Sequence, residues 1–238
     1  MSEIISRQND YSLRRSGVGY IVARMILFLL FAVILFVAAG TLSWIRGWIY
    51  FICILSAEVC TLIIIARKSP EMLNQRGTTH PDVKTFDNFF NFSWMILSAV
   101  TPLVAGFDVV RFEWSSMPFS TLYVGAVFMA VSFVIGSWAM IENVHFEGIV
   151  RIQTDRNHRV VTTGPYRIIR HPGYVGYILL AIGTPFILGS WWSFVTLGPM
   201  ILMFVIRTAF EDKILLRELK GYEEYARRTR FRLFPGIW

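Results

Sequence analysis

An all-α membrane protein is the fold class this sequence predicts. Of its residues 55% are hydrophobic and only 16% charged, its mean hydropathy is +0.52, and the apolar residues gather into uninterrupted runs of membrane-spanning length. A bilayer core takes roughly 20 apolar residues per crossing helix. Met25 to Ile45 carries no charge and Gly47 to Ala66 carries one, Glu58; Phe89 to Phe107 carries none. Trp114 to Ile141 also carries none, and its crossing part starts near Phe119. A fifth run, Gly173 to Ile206, is too long for one crossing. Gly183, Pro185 and Gly189-Ser190 break it, so it predicts a C-terminal helical hairpin, a short helix over about Tyr174 to Leu188 and a longer one over about Trp191 to Phe210. About six transmembrane helices result.

Six crossings put the N-terminus, the loops near 67–88 and 142–172, and the C-terminus on one side. All of the 23 Lys and Arg residues except Arg46 and Arg111 fall there, so the positive-inside rule predicts that both termini are cytoplasmic. The same distribution assigns the net charge of +7 to loops beside anionic lipid rather than to nucleic acid. Arg227, Arg228, Arg230 and Arg232, set among Tyr225, Phe231 and Phe234, predict a cytoplasmic amphipathic tail lying on membrane lipid. The first apolar run exceeds a signal-peptide core and reads as a retained anchor. Arg67 to Asn88, with Pro70, Gly77 and Pro81, is linker-like. The chain divides into N-terminal transmembrane helices, 1–144, and a catalytic region, 145–238.

Several polar or small-residue signals carry no chemistry of their own. Gly17-Val18-Gly19 lacks the preceding strand of a dinucleotide-binding fold. Cys53 and Cys60 lie roughly 10 Å apart along one helix at about 1.5 Å per residue and cannot pair with each other. Glu58, inside a span where a charge costs about 2.5 to 3.5 kcal/mol, requires a proton or a partner within the bundle. Glu142, His145 and Glu147 hold one imidazole between two acids, a weak ligand set, so no metal is expected.

Residues 151–174 are the densest polar cluster of the chain, wedged between two membrane helices. Gly164-Pro165 and His171-Pro172-Gly173 are sharp backbone breakers that fix Tyr166, His171 and Tyr174 in direction, a stiffness that a solvated loop does not need. Arg207 and Glu211 stand four apart near the end of the last crossing, on one helix face, where the simplest arrangement is an exposed ion pair. A helical hairpin brings the start of its first helix beside the end of its second. His171 and Tyr174 thereby become neighbours of Arg207 and Glu211, and cations, an acid, an imidazole and phenols meet at the membrane interface. Such a site suits a polar cofactor and a lipidic or membrane-bound substrate.

Thr163-Gly-Pro-Tyr166, Arg170-His-Pro-Gly-Tyr-Val-Gly176, Arg207-x-x-x-Glu211-Asp212-x-x-Leu215 and Tyr222-x-x-Tyr225-x-x-Arg228 followed by Pro235 occur in this order. Over about residues 145–238 the sequence resembles the isoprenylcysteine carboxyl methyltransferase family. The resemblance implies a membrane methyltransferase using S-adenosylmethionine, with cofactor contacts at Gln153, His158, Arg159, Val160, Val161, Tyr166, His171, Pro172, Gly173, Tyr174 and Glu211. It places Arg207 as the catalytic arginine facing the methyl acceptor, a lipophilic or membrane-bound molecule, in one form a carboxylate. Glu211 can pair with the cofactor ammonium, and Arg207 offers a bidentate fork to a carboxylate. Two other functions stay open on sequence: a sterol-type membrane reductase using NADPH, which can carry a similar Arg-His-Pro-x-Tyr element, and a non-enzymatic membrane binding protein.

Overall fold

The computed structural model describes residues 12–79 and 85–238. Among these residues the regular structure is helical: α1 (Arg15–Ala39), α2 (Ile45–Lys68), α3 (Pro70–Arg76), α4 (Thr85–Gly106, extended by a π-turn Phe107–Arg111), α5 (Thr121–Glu142), α6 (Pro172–Leu188), α7 (Phe194–Glu218) and α8 (Tyr222–Arg228). α1, α2, α4 with its extension, α5 and α7 are each long and apolar enough to cross a membrane; α6 is a shorter apolar helix. The chain is an integral membrane protein. Trp191, Trp192, Trp114 and Phe112 are exposed where α6 turns into α7, as aromatic side chains are at a membrane–water boundary.

Helix ends differ from the charge-free runs because a charge marks where lipid ends, not where a helix does. α1 starts ten residues before Met25 and carries Arg24 inside it, because Arg24 Nε donates to Glu58 of α2 at 2.8 Å. Glu58 is therefore partnered inside the bundle. α7 likewise runs past Phe210 to Glu218 as one unbroken helix. Gly183 and Pro185 lie within α6, and Gly189, at φ +79°, makes the turn, a left-handed cap that glycine adopts without penalty. Gly183 serves packing instead: a Cβ there would stand 2.9 Å from the Gly125 carbonyl oxygen of α5, so the two backbones touch.

The described part of 67–88 is not linker-like. It contains α3, whose Met72 and Leu73 are fully buried, and Asn74, which accepts the Arg14 amide at 2.8 Å and donates to the Ser12 carbonyl at 3.1 Å. Pro81 and residues 1–11, including the beginning of the N-terminal polar stretch, lie outside the described residues. In the tail, Tyr222, Tyr225 and Leu233 are buried within the protein, while the exposed Arg227 and Arg228 pair with Glu223 and Glu224 one turn back.

At the end where α6 meets α7, buried polar groups clasp the helices. Asp108, on the π-turn, accepts from the Ser115 hydroxyl at 2.5 Å and the Ser190 hydroxyl at 2.6 Å. Arg46 of α2 donates to the carbonyls of Pro118, at 2.7 Å, and Phe186, at 3.1 Å. These bonds fix the α6–α7 turn to α2, α4 and the start of α5. The opposite end of the bundle holds the polar cluster of residues 151–174.

Candidate active site

α6 begins at the site. Pro172 occupies its first turn, where a missing amide costs nothing, and Gly173 follows because a Cβ at that position would lie 2.4 Å from the Phe146 ring. The helix start is held from behind by the tail: the Arg170 amide donates to the Phe231 carbonyl at 3.0 Å and the His171 amide to the Arg232 carbonyl at 2.9 Å. Tyr225 donates to the Tyr166 carbonyl at 2.8 Å, which places Tyr166 through the other breaker, Gly164, at φ +56°.

Asp212 of α7 is the hub of this rear wall. Only 1% exposed, it meets Arg170 Nε at 2.8 Å, Arg232 Nε at 2.9 Å, the Tyr222 hydroxyl at 2.9 Å and His171 Nε2 at 3.4 Å. A buried carboxylate with this many donors is fully compensated, and its partners are compensated by it. His171 is thus locked, with its ring stacked parallel on Tyr174 at a centroid distance of 5.7 Å.

One turn away on α7, Arg207 and Glu211 are joined through a third residue. Arg207 Nε donates to the Tyr174 phenol oxygen at 2.7 Å, and that phenol donates to Glu211. Among the described residues, the ion pairs of these two side chains run elsewhere: Arg207 Nη1 lies 2.7 Å from Asp87 of α4, and Glu211 lies 3.9 Å from His171 Nδ1. Arg207 Nη2 donates to the Gly148 carbonyl at 2.8 Å, and its guanidinium sits 4.1 Å above the Phe90 ring. At 3% exposure, Arg207 has all three nitrogens engaged. The bidentate fork that the sequence suggested is occupied by the protein's own groups, because a buried cation demands an acceptor on each side. Asp87 is itself completely buried and also accepts the Val150 amide at 2.7 Å.

The loop between α5 and α6 closes the front. Gln153 is 1% exposed; its amide nitrogen donates to the His145 carbonyl at 2.8 Å and its oxygen accepts from Arg156 at 3.0 Å. Glu147 holds Arg151 at 2.8 Å, and Glu142 accepts the Thr163 hydroxyl at 2.6 Å, so the acids flanking His145 serve the loop. The His145 and His158 rings lie 4.5 Å apart. Burial, then the neighbouring His145 and the arginines Arg151 and Arg156, push the His158 imidazole down to about 4. Burial lowers His145 as well, outweighing the Gln153 oxygen.

Both imidazoles therefore stay neutral in the folded protein at pH 7. A histidine whose folded pKa lies below its unfolded value of about 6.5 contributes stability that is present above pH 6.5 and lost as pH falls through about 4. Thermal unfolding in detergent should show the melting temperature dropping across that window, with a shallower drop in His158→Gln. Parallel pH curves for the two proteins would refute this.

These elements enclose a cavity with an open mouth. Gln153, His158, Arg159, Val160, Val161, Tyr166, His171, Gly173, Tyr174 and Glu211 line it. Pro172 serves the helix start, and Arg207 stands behind Tyr174. The lining also includes Asn143, His145, Glu147, Arg170, Tyr222 and Tyr225. Of these, the Tyr222-x-x-Tyr225 spacing was visible in the sequence as a motif. Asp87 was visible only as the charge that precedes an apolar run.

The phospholipid methyltransferase family profile matches residues 120–220. The probable protein-S-isoprenylcysteine O-methyltransferase of Oryza sativa subsp. indica is 33% identical over 110 residues, covering 45% of this chain and 58% of that protein. The protein-S-isoprenylcysteine O-methyltransferase of Dictyostelium discoideum is 29% identical over 142 residues, covering 57% and 60%. The match thus spans less than two thirds of these relatives' length. The solved structure of the eukaryotic intramembrane Ras methyltransferase ICMT superposes with a TM-score of 0.54 at 17% identity, over 91% of this chain and 86% of that one, a likeness of fold.

Proposed function

We propose that this chain, whose C-terminal part is similar to the phospholipid methyltransferase profile and to isoprenylcysteine methyltransferases, is an S-adenosylmethionine-dependent methyltransferase of the isoprenylcysteine carboxyl methyltransferase family acting on a lipophilic, membrane-associated acceptor. One observation carries the reading: a cavity between the apolar helices and the polar loop presents Glu211, a carboxylate with 23% of its side chain exposed, beside the locked pair His171 and Tyr174. That donor set fits the cofactor. Glu211 would hold the ammonium, and the loop residues from Gln153 to Val161, with Tyr166, would hold the nucleoside half. The cofactor supplies a sulfonium-bound methyl group to the acceptor.

The protein's part is to align and to exclude water. An acceptor carboxylate, the group that the name of the structurally similar ICMT specifies, is already ionised at pH 7 and needs no base. Alignment alone can then be worth on the order of 7 to 11 kcal/mol. Arg207 contributes by positioning the Tyr174 phenol. In this reading 145–238 is the catalytic region carried by the helices of 1–144, and the charge bias favours a cytoplasmic site and cytoplasmic termini.

Isothermal titration of the full-length protein in detergent tests the reading. S-adenosylmethionine and S-adenosylhomocysteine should bind saturably and NADPH should not, and His171→Ala and Tyr174→Phe should each weaken that binding while leaving the protein folded. Preference for NADPH, or affinity unchanged in both variants, would refute it.

A further inference from the structure

We propose that Asp87 is a positioning residue for the cofactor half of the site: it draws Arg207 away from Glu211 and leaves Glu211 with an uncompensated charge for a cationic ligand. This rests on reading the cavity as an S-adenosylmethionine site. Arg207 and Glu211 stand one turn apart on α7, the spacing at which Arg and Glu side chains ordinarily pair directly. Here the guanidinium is turned away from Glu211. Nη1 goes to Asp87 at 2.7 Å and Nη2 to the Gly148 carbonyl at 2.8 Å, and Nε reaches only the Tyr174 phenol.

The three charges are not equivalent. Asp87, fully buried, and Arg207, 3% exposed, cancel each other in the protein interior. The remaining negative charge rests on Glu211, the one member of the three that lines the cavity. Among the described residues its close polar contacts are the Tyr174 hydroxyl and, at 3.9 Å, His171 Nδ1, and His171 is already committed to Asp212.

A buried guanidinium cannot remain uncompensated. Without Asp87 the nearest carboxylate one turn away is Glu211, and an Arg207–Glu211 pair would be electrically neutral. It would compete with any ammonium that the cavity receives. Asp87 lies on α4, far from the site in sequence, and its other oxygen holds the Val150 amide at 2.7 Å, so the diverting carboxylate is itself fixed in place.

The experiment is titration of the full-length protein in detergent with S-adenosylmethionine and with 5′-methylthioadenosine, which lacks the ammonium, for wild type, Asp87→Asn, Arg207→Met and the double variant. Melting temperatures are taken on the same samples. Asp87→Asn should lower S-adenosylmethionine affinity by roughly 10- to 100-fold, the range for one charge-assisted hydrogen bond, and leave 5′-methylthioadenosine affinity unchanged. Arg207→Met should cost no more S-adenosylmethionine affinity than Tyr174→Phe, whose phenol it positions, and adding it to Asp87→Asn should bring the affinity back to the Arg207→Met level. An Asp87→Asn variant that binds like wild type, or that loses both ligands equally, overturns the proposal. Should that single variant fail to fold, the double variant must bind as Arg207→Met does, and weaker binding would overturn it. Wild type that binds neither ligand refutes the S-adenosylmethionine reading itself, a separate result.

Discussion

Glu211→Gln is expected to weaken S-adenosylmethionine binding by roughly 10- to 150-fold, the equivalent of about 1.5 to 3 kcal/mol for a hydrogen bond to a charged group. The substitution preserves shape, and the glutamine oxygen can still accept the Tyr174 hydroxyl, so the pocket stays assembled and only the charge disappears. Isothermal titration at constant ionic strength reads the effect. Arg207→Met is the matched comparison and should lose less, since its guanidinium ion-pairs with Asp87, hydrogen-bonds to Gly148 and Tyr174, and reaches the cavity only through Tyr174. Equal loss of affinity in the two variants would show that they form one unit, and that the division between a ligand-binding acid and a positioning cation is wrong.

Asp212→Ala should be the most destabilising single change in the site. It removes the acceptor shared by Arg170, Arg232 and the Tyr222 hydroxyl and leaves the buried Arg170 guanidinium with main-chain carbonyls such as Thr229, 3.1 Å away, but no anion. Breaking a buried ion pair from one side costs about 3 to 5 kcal/mol. The tail that Arg232 and Tyr222 fasten should detach with it. A large fall in melting temperature, with limited proteolysis now cutting near 219–232, is the expected result. Asp212→Asn should lie between this variant and wild type, because an amide oxygen still accepts. Wild-type melting behaviour in the alanine variant would remove Asp212 from the centre of the fold.

What the sequence made legible follows from which interactions are local. The apolar runs show their helices because a helix in lipid satisfies its own backbone, and the Pro-Gly breakers at 164–165 and 172–173 announce the fixed start of α6 because φ restriction is a property of single residues. Hairpin logic brings Tyr174 to Arg207 and Glu211 with no side-chain detail at all. The arrangement among those three was not legible. Spacing alone favours a direct Arg207–Glu211 pair, and only the arrival of Asp87 from another helix decides otherwise. The pairings of the tail were illegible for a similar reason. Four arginines among aromatics do not reveal that Asp212 takes one of them, Arg232, and the acids at 223 and 224 two more. Partners distant in sequence settle where a charge goes.

The clasp at the α6–α7 turn bears on motion. Separating α2, α4 and α6 there would strip Asp108 of the Ser190 hydroxyl and Arg46 of the Phe186 carbonyl, and each buried group left unmatched costs about 1 to 3 kcal/mol. The bundle is accordingly stiff at that pole. The site end is tied as firmly, by Asp212 to Arg170 and Arg232 and by Asp87 to Arg207, so charge and hydroxyl pairs brace both poles of the bundle.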